Sequence, residues 1–280
     1  MKIIDGGVTA AKGFKAAGMH AGIKKGTKKD MAMIVSSAPC MAAGTFTTNL
    51  VKAAPVKWDQ HVVYEHGEAR AVVVNSGIAN ACTGAEGYGY CEETAKAAAE
   101  ALGIDKDEVL VASTGVIGKQ LPIDTIKKGV KDLSGLLLDT REAATLAAES
   151  IMTTDTVKKE VAVEVEIGGK TVTIGGMCKG SGMIHPNMCT MLSFLMTDAA
   201  ISKEMLQKAL SADVDDTYNM ISVDGDTSTN DTVLLLANGL AENPEITEEG
   251  EDMGRLGVQR PGAGRVGDRG CYLLARRSST

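Results

Sequence analysis

The stretch Gly175-Gly176-Met177-Cys178-Lys179-Gly180-Ser181-Gly182-Met183-Ile184-His185-Pro186-Asn187-Met188-Cys189-Thr190-Met191-Leu192-Ser193-Phe194-Leu195 decides how the chain is read. A glycine-laced approach ends at Asn187-Met188-Cys189-Thr190 and passes at once into an apolar run opening at Met191-Leu192. Glycine leaves the backbone before the junction mobile, whereas a buried strand after it is held still. A hydroxyl at such a junction can reach its own preceding carbonyl. Taken alone, a threonine that opens a strand is structural in most proteins.

Upstream, Val161 to Ile174 alternates apolar and polar residues on both sides of Gly168-Gly169, the signature of a two-residue hairpin. Downstream, Ser202 is placed to cap a helix running to about Leu210. Further out, Ala32-Met33-Ile34-Val35 and Ala71-Val72-Val73-Val74 read as buried strands. Between Cys91 and Leu102 the run Glu92 to Glu100 is a strong helix former, with Gly103 as its closing residue. Val109-Leu110-Val111-Ala112 is a strand that runs into Ser113-Thr114-Gly115, and a strand followed by a small polar loop and a helix is how α/β proteins build sites. The pattern is mixed α/β with no internal repeat.

Of 280 residues, 29 are basic and 36 acidic, a formal charge of −7. That excludes a nucleic-acid binder held mainly by phosphate neutralisation. No apolar window is long enough to span a membrane, and the N-terminus lacks a signal core. Six cysteines without a CxxC pair, and four scattered histidines, argue against a disulfide scaffold or zinc site and point to the cytoplasm. The Gly-rich segments lack the Lys-Ser/Thr of a phosphate loop. Asp224 to Asp231 is acidic and hydroxyl-rich, but Leu235 stands where a calcium loop needs its closing glutamate, so a loop of side-chain-to-backbone hydrogen bonds is expected.

Composition then changes. Up to Asp252 there are 21 Lys and 2 Arg; from Met253 to Thr280 there are 6 Arg, 6 Gly and no Lys. This bias predicts disorder over 253–280. A natural flexible tail and a reading-frame change both fit, and the abruptness favours the second.

Several blocks in order carry a resemblance: Gly6–Phe14, Asn49–Val56, Asn75–Gly84, Ser113–Gly118, Ile151–Thr156, Lys179–Leu192 and Asp224–Thr232. Together they resemble the ornithine acetyltransferase family, the bifunctional glutamate N-acetyltransferases of arginine biosynthesis, over about residues 4–250. The resemblance implies an α-β-β-α sandwich of the kind shared with self-cleaving aminopeptidases. It implies self-cleavage between Cys189 and Thr190, giving an N-terminal chain of residues 1–189 and a C-terminal chain opening at Thr190 and matching the family to about 252. Thr190 would then be the catalytic nucleophile, with Thr114 and Gly115 as the oxyanion hole and Thr153, Lys179 and Thr190 binding substrate. The implied reaction moves acetyl from N²-acetylornithine to glutamate by a ping-pong route. No metal or cofactor is implied, although acetyl-CoA serves some members as a substrate. Assembly as two copies of each processed chain is also implied, with no nucleic-acid or membrane partner.

Two departures stand out. Cys189 occupies a position usually held by Ala. The family's region beyond the equivalent of Glu251, with a substrate-site glutamate and an Asn/Ser or Asn/Thr pair, finds no match. An inactive truncated product and a self-cleaving aminopeptidase are therefore the alternatives. Asn75, Asn80 and Cys82 are expected to serve loop architecture.

Overall fold

A computed structural model describes residues 1–180, 191–220 and 228–255, and the backbone alone for Asp216, Met220 and Arg255. The Val/Ile-rich runs form β4 (Glu68–Ile78) and β5 (Val109–Val116), which lie parallel. On β4's other side the sheet continues antiparallel. β3 (Met31–Phe46) pairs with β4, and β2 (Phe14–Met19) pairs with β3. The Gly168-Gly169 hairpin forms as expected between β6 (Lys159–Ile167) and β7 (Lys170–Lys179), both glycines at positive φ.

β3 joins these two groups. Its first half pairs with β2 and β4, its register shifts between Val35 and Cys40, and its second half pairs with β9 (Thr232–Ala237). From β9 the sheet continues through β8 (Leu192–Thr197), β7 and β6 to β1 (Lys2–Ile4). β8 and β9 are parallel.

Alternating residues of the β6–β9 group point to different cores. Met177, Phe194 and Leu234 join Val72, Leu110 and Ile126 in one cluster. Cys178, Leu195 and Val233 join Leu206 and Leu210 of α5 (Lys203–Asp216) in the other. On the opposite side, α2 (Gly84–Leu102), α3 (Ile123–Ser134) and α4 (Arg141–Ser150) pack on β2–β5. The result is the expected α/β class in its α-β-β-α form. Ser202 caps α5, its side chain accepting from Met205 N, and Gly103 ends α2 in the left-handed conformation.

α1 (Ala54–His61) protects the open edge of β5. Trp58 Nε1 donates to Val109 O at 2.9 Å, and Asp59 Oδ1 accepts from Val111 N at 2.8 Å. An edge strand left with free backbone groups would template aggregation. The last described element, α6 (Glu251–Arg255), spans the composition break, and its Met253 is buried in the second core. Residues 256–280 lie outside the described part. Among the described residues no helix is long and apolar enough to cross a membrane, and no group of side chains could hold a metal ion.

Candidate active site

The site is built where β4 and β5 end together. Ser76 lies opposite Thr114 and Gly77 opposite Gly115. Both glycines have positive φ, +115° and +135°. A Cβ on Gly115 would stand 2.3 Å from the Gly77 carbonyl carbon, so the two backbones meet as only glycine allows. Thr114 is buried while Gly115 is exposed, which puts the boundary of the core between them.

Lys179, the last residue of β7, reaches this strand end. It is 3% exposed, and its Nζ donates to Thr114 Oγ1 at 3.4 Å. Burial pulls its pKa down; Lys159 acts in the same direction, and Asp155 and Asp231 oppose both. Beside it sits a buried ion pair, with Lys159 Nζ 2.6 Å from Asp155 Oδ1. Gly180 N donates to the same oxygen at 2.8 Å and Thr153 N to Oδ2 at 3.2 Å, while Lys159 Nζ also donates to Gly180 O. Burial alone would raise the Asp155 pKa, but Lys159 and the Gly180 amide hold it below the usual value. Asp155 thus ties Thr153 to the backbone that follows Lys179.

Lys24 closes another side. The buried Asp30 carboxylate gathers the amides of Ala21, Ile23 and Lys24, and Lys24 Nζ donates to Lys29 O and to Met152 O at 2.6 Å. Its stem lies over Gly77.

Cys189 and Thr190 lie outside the described residues; the following residue, Met191, does not. Met191 N donates to Asp231 Oδ1 at 3.1 Å, and Met191 O accepts from Thr232 N at 3.0 Å. Asn230 Nδ2 donates to Ser113 O at 2.8 Å and Ala79 O at 2.7 Å. Thr47 Oγ1 donates to Ser228 O, and Thr47 N to Asp231 O. Asp231 is fully buried, and burial pushes its pKa up to about 8 against the pull of the Met191 amide, Ser228 and Lys179.

Of the anticipated site residues, Thr114, Gly115, Lys179 and Thr153 come together around one strand end. Asp155, Lys159, Lys24, Asn230 and Asp231 were not anticipated. Asp155, Asn230 and Asp231 lie within the blocks that carry the resemblance, yet acidic and amide side chains in loops look alike until their partners are known. The expected hydrogen-bonded loop is observed over Ser228–Asp231, whereas residues 224–227 are outside the described part. Asn75 and Asn80 are architectural: Asn75 Nδ2 donates to Ile78 O and its Oδ1 accepts from Ser113 Oγ, while Asn80 bonds Gly87 O at a φ of +49°. Cys82 is exposed.

The sequence profile of the ArgJ family matches residues 15–256, nearly the whole described fold. The chain belongs to the ArgJ family. Similar to it is the arginine biosynthesis bifunctional protein ArgJ of Symbiobacterium thermophilum, 56% identical over 248 residues, which are 88% of this chain and 61% of that relative. The chain therefore spans about three fifths of the length of such curated relatives. Among solved structures, the ArgJ protein of Bacillus halodurans superposes with a TM-score of 0.64 at 45% identity, covering 69% of this chain and 97% of that one. The ornithine acetyltransferase of Mycobacterium tuberculosis, solved with ornithine, gives 0.61 at 42% identity, covering 66% and 97%.

Proposed function

We propose that the chain is an acetyltransferase of arginine biosynthesis that activates itself by cleavage between Cys189 and Thr190. The observation that carries this reading is the meeting of Lys179 with Thr114 at the end of β5, beside the anchored amide of Met191.

In cleavage, the Thr190 hydroxyl attacks the carbonyl carbon of residue 189 and the C–N bond breaks. The proton lost by oxygen ends on the freed nitrogen, and water then hydrolyses the ester. The new α-amine has a reference pKa of about 7.7–8.0, so at pH 7 roughly a tenth to a sixth of it is unprotonated and free to act as base for the neighbouring hydroxyl. In transfer, Thr190 Oγ attacks the acetyl carbonyl of N²-acetylornithine, and ornithine leaves as the amine. The acetyl ester is then attacked by the amine of glutamate, which regenerates the hydroxyl. Both steps pass through an oxyanion, for which Thr114 and Gly115 are the donors. Removal of one such donor costs on the order of 10²–10³ in turnover.

Lys179 provides a buried ammonium for the substrate α-carboxylate, and Thr153, held through Asp155, lines the same site. No resident cofactor enters; acetyl-CoA is a second donor. The processed chains assemble as two copies of each and act in the cytoplasm.

Intact-mass spectrometry of the purified chain tests the reading. The expected products are residues 1–189 and 190–280, the latter gaining one acetyl group on incubation with N²-acetylornithine. Thr190→Ala should leave a single uncleaved, unacetylated species. An unmutated chain that stays whole, or one that cleaves dipeptide amides without exchanging acetyl, overturns the assignment.

A further inference from the structure

Thr114 and Gly115 stand at the end of β5, and Met191, the residue after Thr190, stands just before β8, far away in sequence, yet acyl chemistry requires the separation of oxyanion donors and nucleophile to be held closely. Two consecutive side chains bridge that gap. Asn230 Nδ2 holds the carbonyl of Ser113, the residue before Thr114. Asp231 Oδ1 holds the amide of Met191, the residue after Thr190. The backbone between them is fixed as well, since Asn230 N donates to Ser228 Oγ and Thr47 bonds both Ser228 O and Asp231 O. Asn230 also holds Ala79 O, so the loop following β4 is tied into the same knot.

We propose that Asn230 and Asp231 are a positioning pair that sets the distance between the oxyanion donors and the nucleophile. This rests on the function proposed above and adds two residues to it. Each acts through a neighbour's backbone, Asn230 through Ser113 O and Asp231 through Met191 N. The chemistry explains the choice of residues. A carbonyl oxygen needs a donor, which the Asn amide supplies twice. A backbone amide needs an acceptor, which the Asp carboxyl supplies. Asp231 is fully buried, and no hydrogen bond to its Oδ2 from the described residues meets ordinary geometry. The charged group acting on it from a packed element is Lys179, on β7. Its ionisation strengthens the acceptor and so tightens the grip on Met191.

The rate of self-cleavage in the full chain, followed by intact mass across pH, tests the pair. Displacement of a reacting group by about 1 Å can cost on the order of 10²-fold, so Asp231→Ala should slow cleavage by about that factor. Asp231→Asn keeps the acceptor and should recover most of the rate. It should also lose the rise in rate that the unmutated chain shows as Asp231 ionises, a change that a merely structural role would not produce. Asn230→Asp, which sets a carboxylate against two carbonyls, should slow cleavage as Asp231→Ala does. Should Asp231→Ala fail to fold, the Asp231→Asn pH profile decides alone. Cleavage of a folded Asp231→Ala chain at the unmutated rate, or an Asp231→Asn profile identical to that of the unmutated chain, overturns the pair alone. A wild-type chain that never cleaves removes the pair together with the function on which it rests.

Discussion

Thr114 and Gly115 differ in exposure: the first is buried and accepts from Lys179, and the second stands at the surface against Gly77. Charge is distributed with equal economy. Lys159 and Asp155 satisfy each other, Lys179 keeps an ammonium turned to Thr114, and Asp231 is neutral through most of the acid range. The last point has a consequence for stability. Asp231 has a pKa of about 8 in the fold against an ordinary 3.8. Between those values the folded chain holds a proton that the unfolded chain releases. Stability on this account therefore falls as pH rises from about 4 to 8, and is level outside that window. Asp231→Asn removes the proton and with it the slope. Urea melts at several pH values should show the unmutated chain losing ground to the variant across that window, by at most about 1.4 kcal/mol per pH unit. Parallel stability curves would show that Asp231 titrates as an ordinary carboxyl.

At the scale of elements, local rules and tertiary contacts disagree most instructively at the β6–β7 turn. Asn-Gly is a preferred pair for a turn with two positive φ values, so Gly168→Asn looks like an improvement. A Cβ at Gly168, however, would stand 2.4 Å from Cδ of Pro244, a ring that cannot rotate away. Nothing lies within 4 Å of a Cβ at Gly169. Chemical denaturation should find Gly168→Asn destabilised by about 1 kcal/mol or more and Gly169→Asn affected less. The reverse order would mean that Pro244 yields. The same division explains what could be read in the sequence. The hairpin, the Ser202 cap and the Gly103 stop are local devices and were legible. α2 begins at Gly84, well before the predicted Glu92, because Gly87 fits against Thr83 and Asn80 where a Cβ would collide. β5 runs on through Gly115 because β4 continues beside it. β3 extends far beyond Ala32–Val35 because its second half finds β9, a partner nearly two hundred residues away. In the candidate site, the resemblance pointed to Thr114, Gly115, Thr153 and Lys179, whereas Asn230 and Asp231 drew notice only when Ser113 and Met191 appeared beside them.

The whole molecule is organised about β3, which belongs to both strand groups, and about two cores that share the β6–β9 strands between their faces. The second core is where composition and packing part company. The exchange of Lys for Arg and Gly sets in at Met253, yet Met253 is 2% exposed and packs with the residues that α5 presents to β6–β9. α6 is too short to be stable by itself, so the burial of Met253 against the second core anchors it. Met253→Ala should then cost about 2 kcal/mol or more in urea unfolding, the ordinary loss for a buried methionine truncated to alanine. Its neighbour provides the control. A Cβ at Gly254 meets nothing within 4 Å, so Gly254→Ala should be neutral or stabilising by roughly 0.5–1 kcal/mol through helix propensity alone. If both substitutions are silent, α6 is not part of the cooperative unit and the second core ends with the residues around Ile246. A loss confined to Met253 would place the end of the folded unit beyond the point where the composition changes.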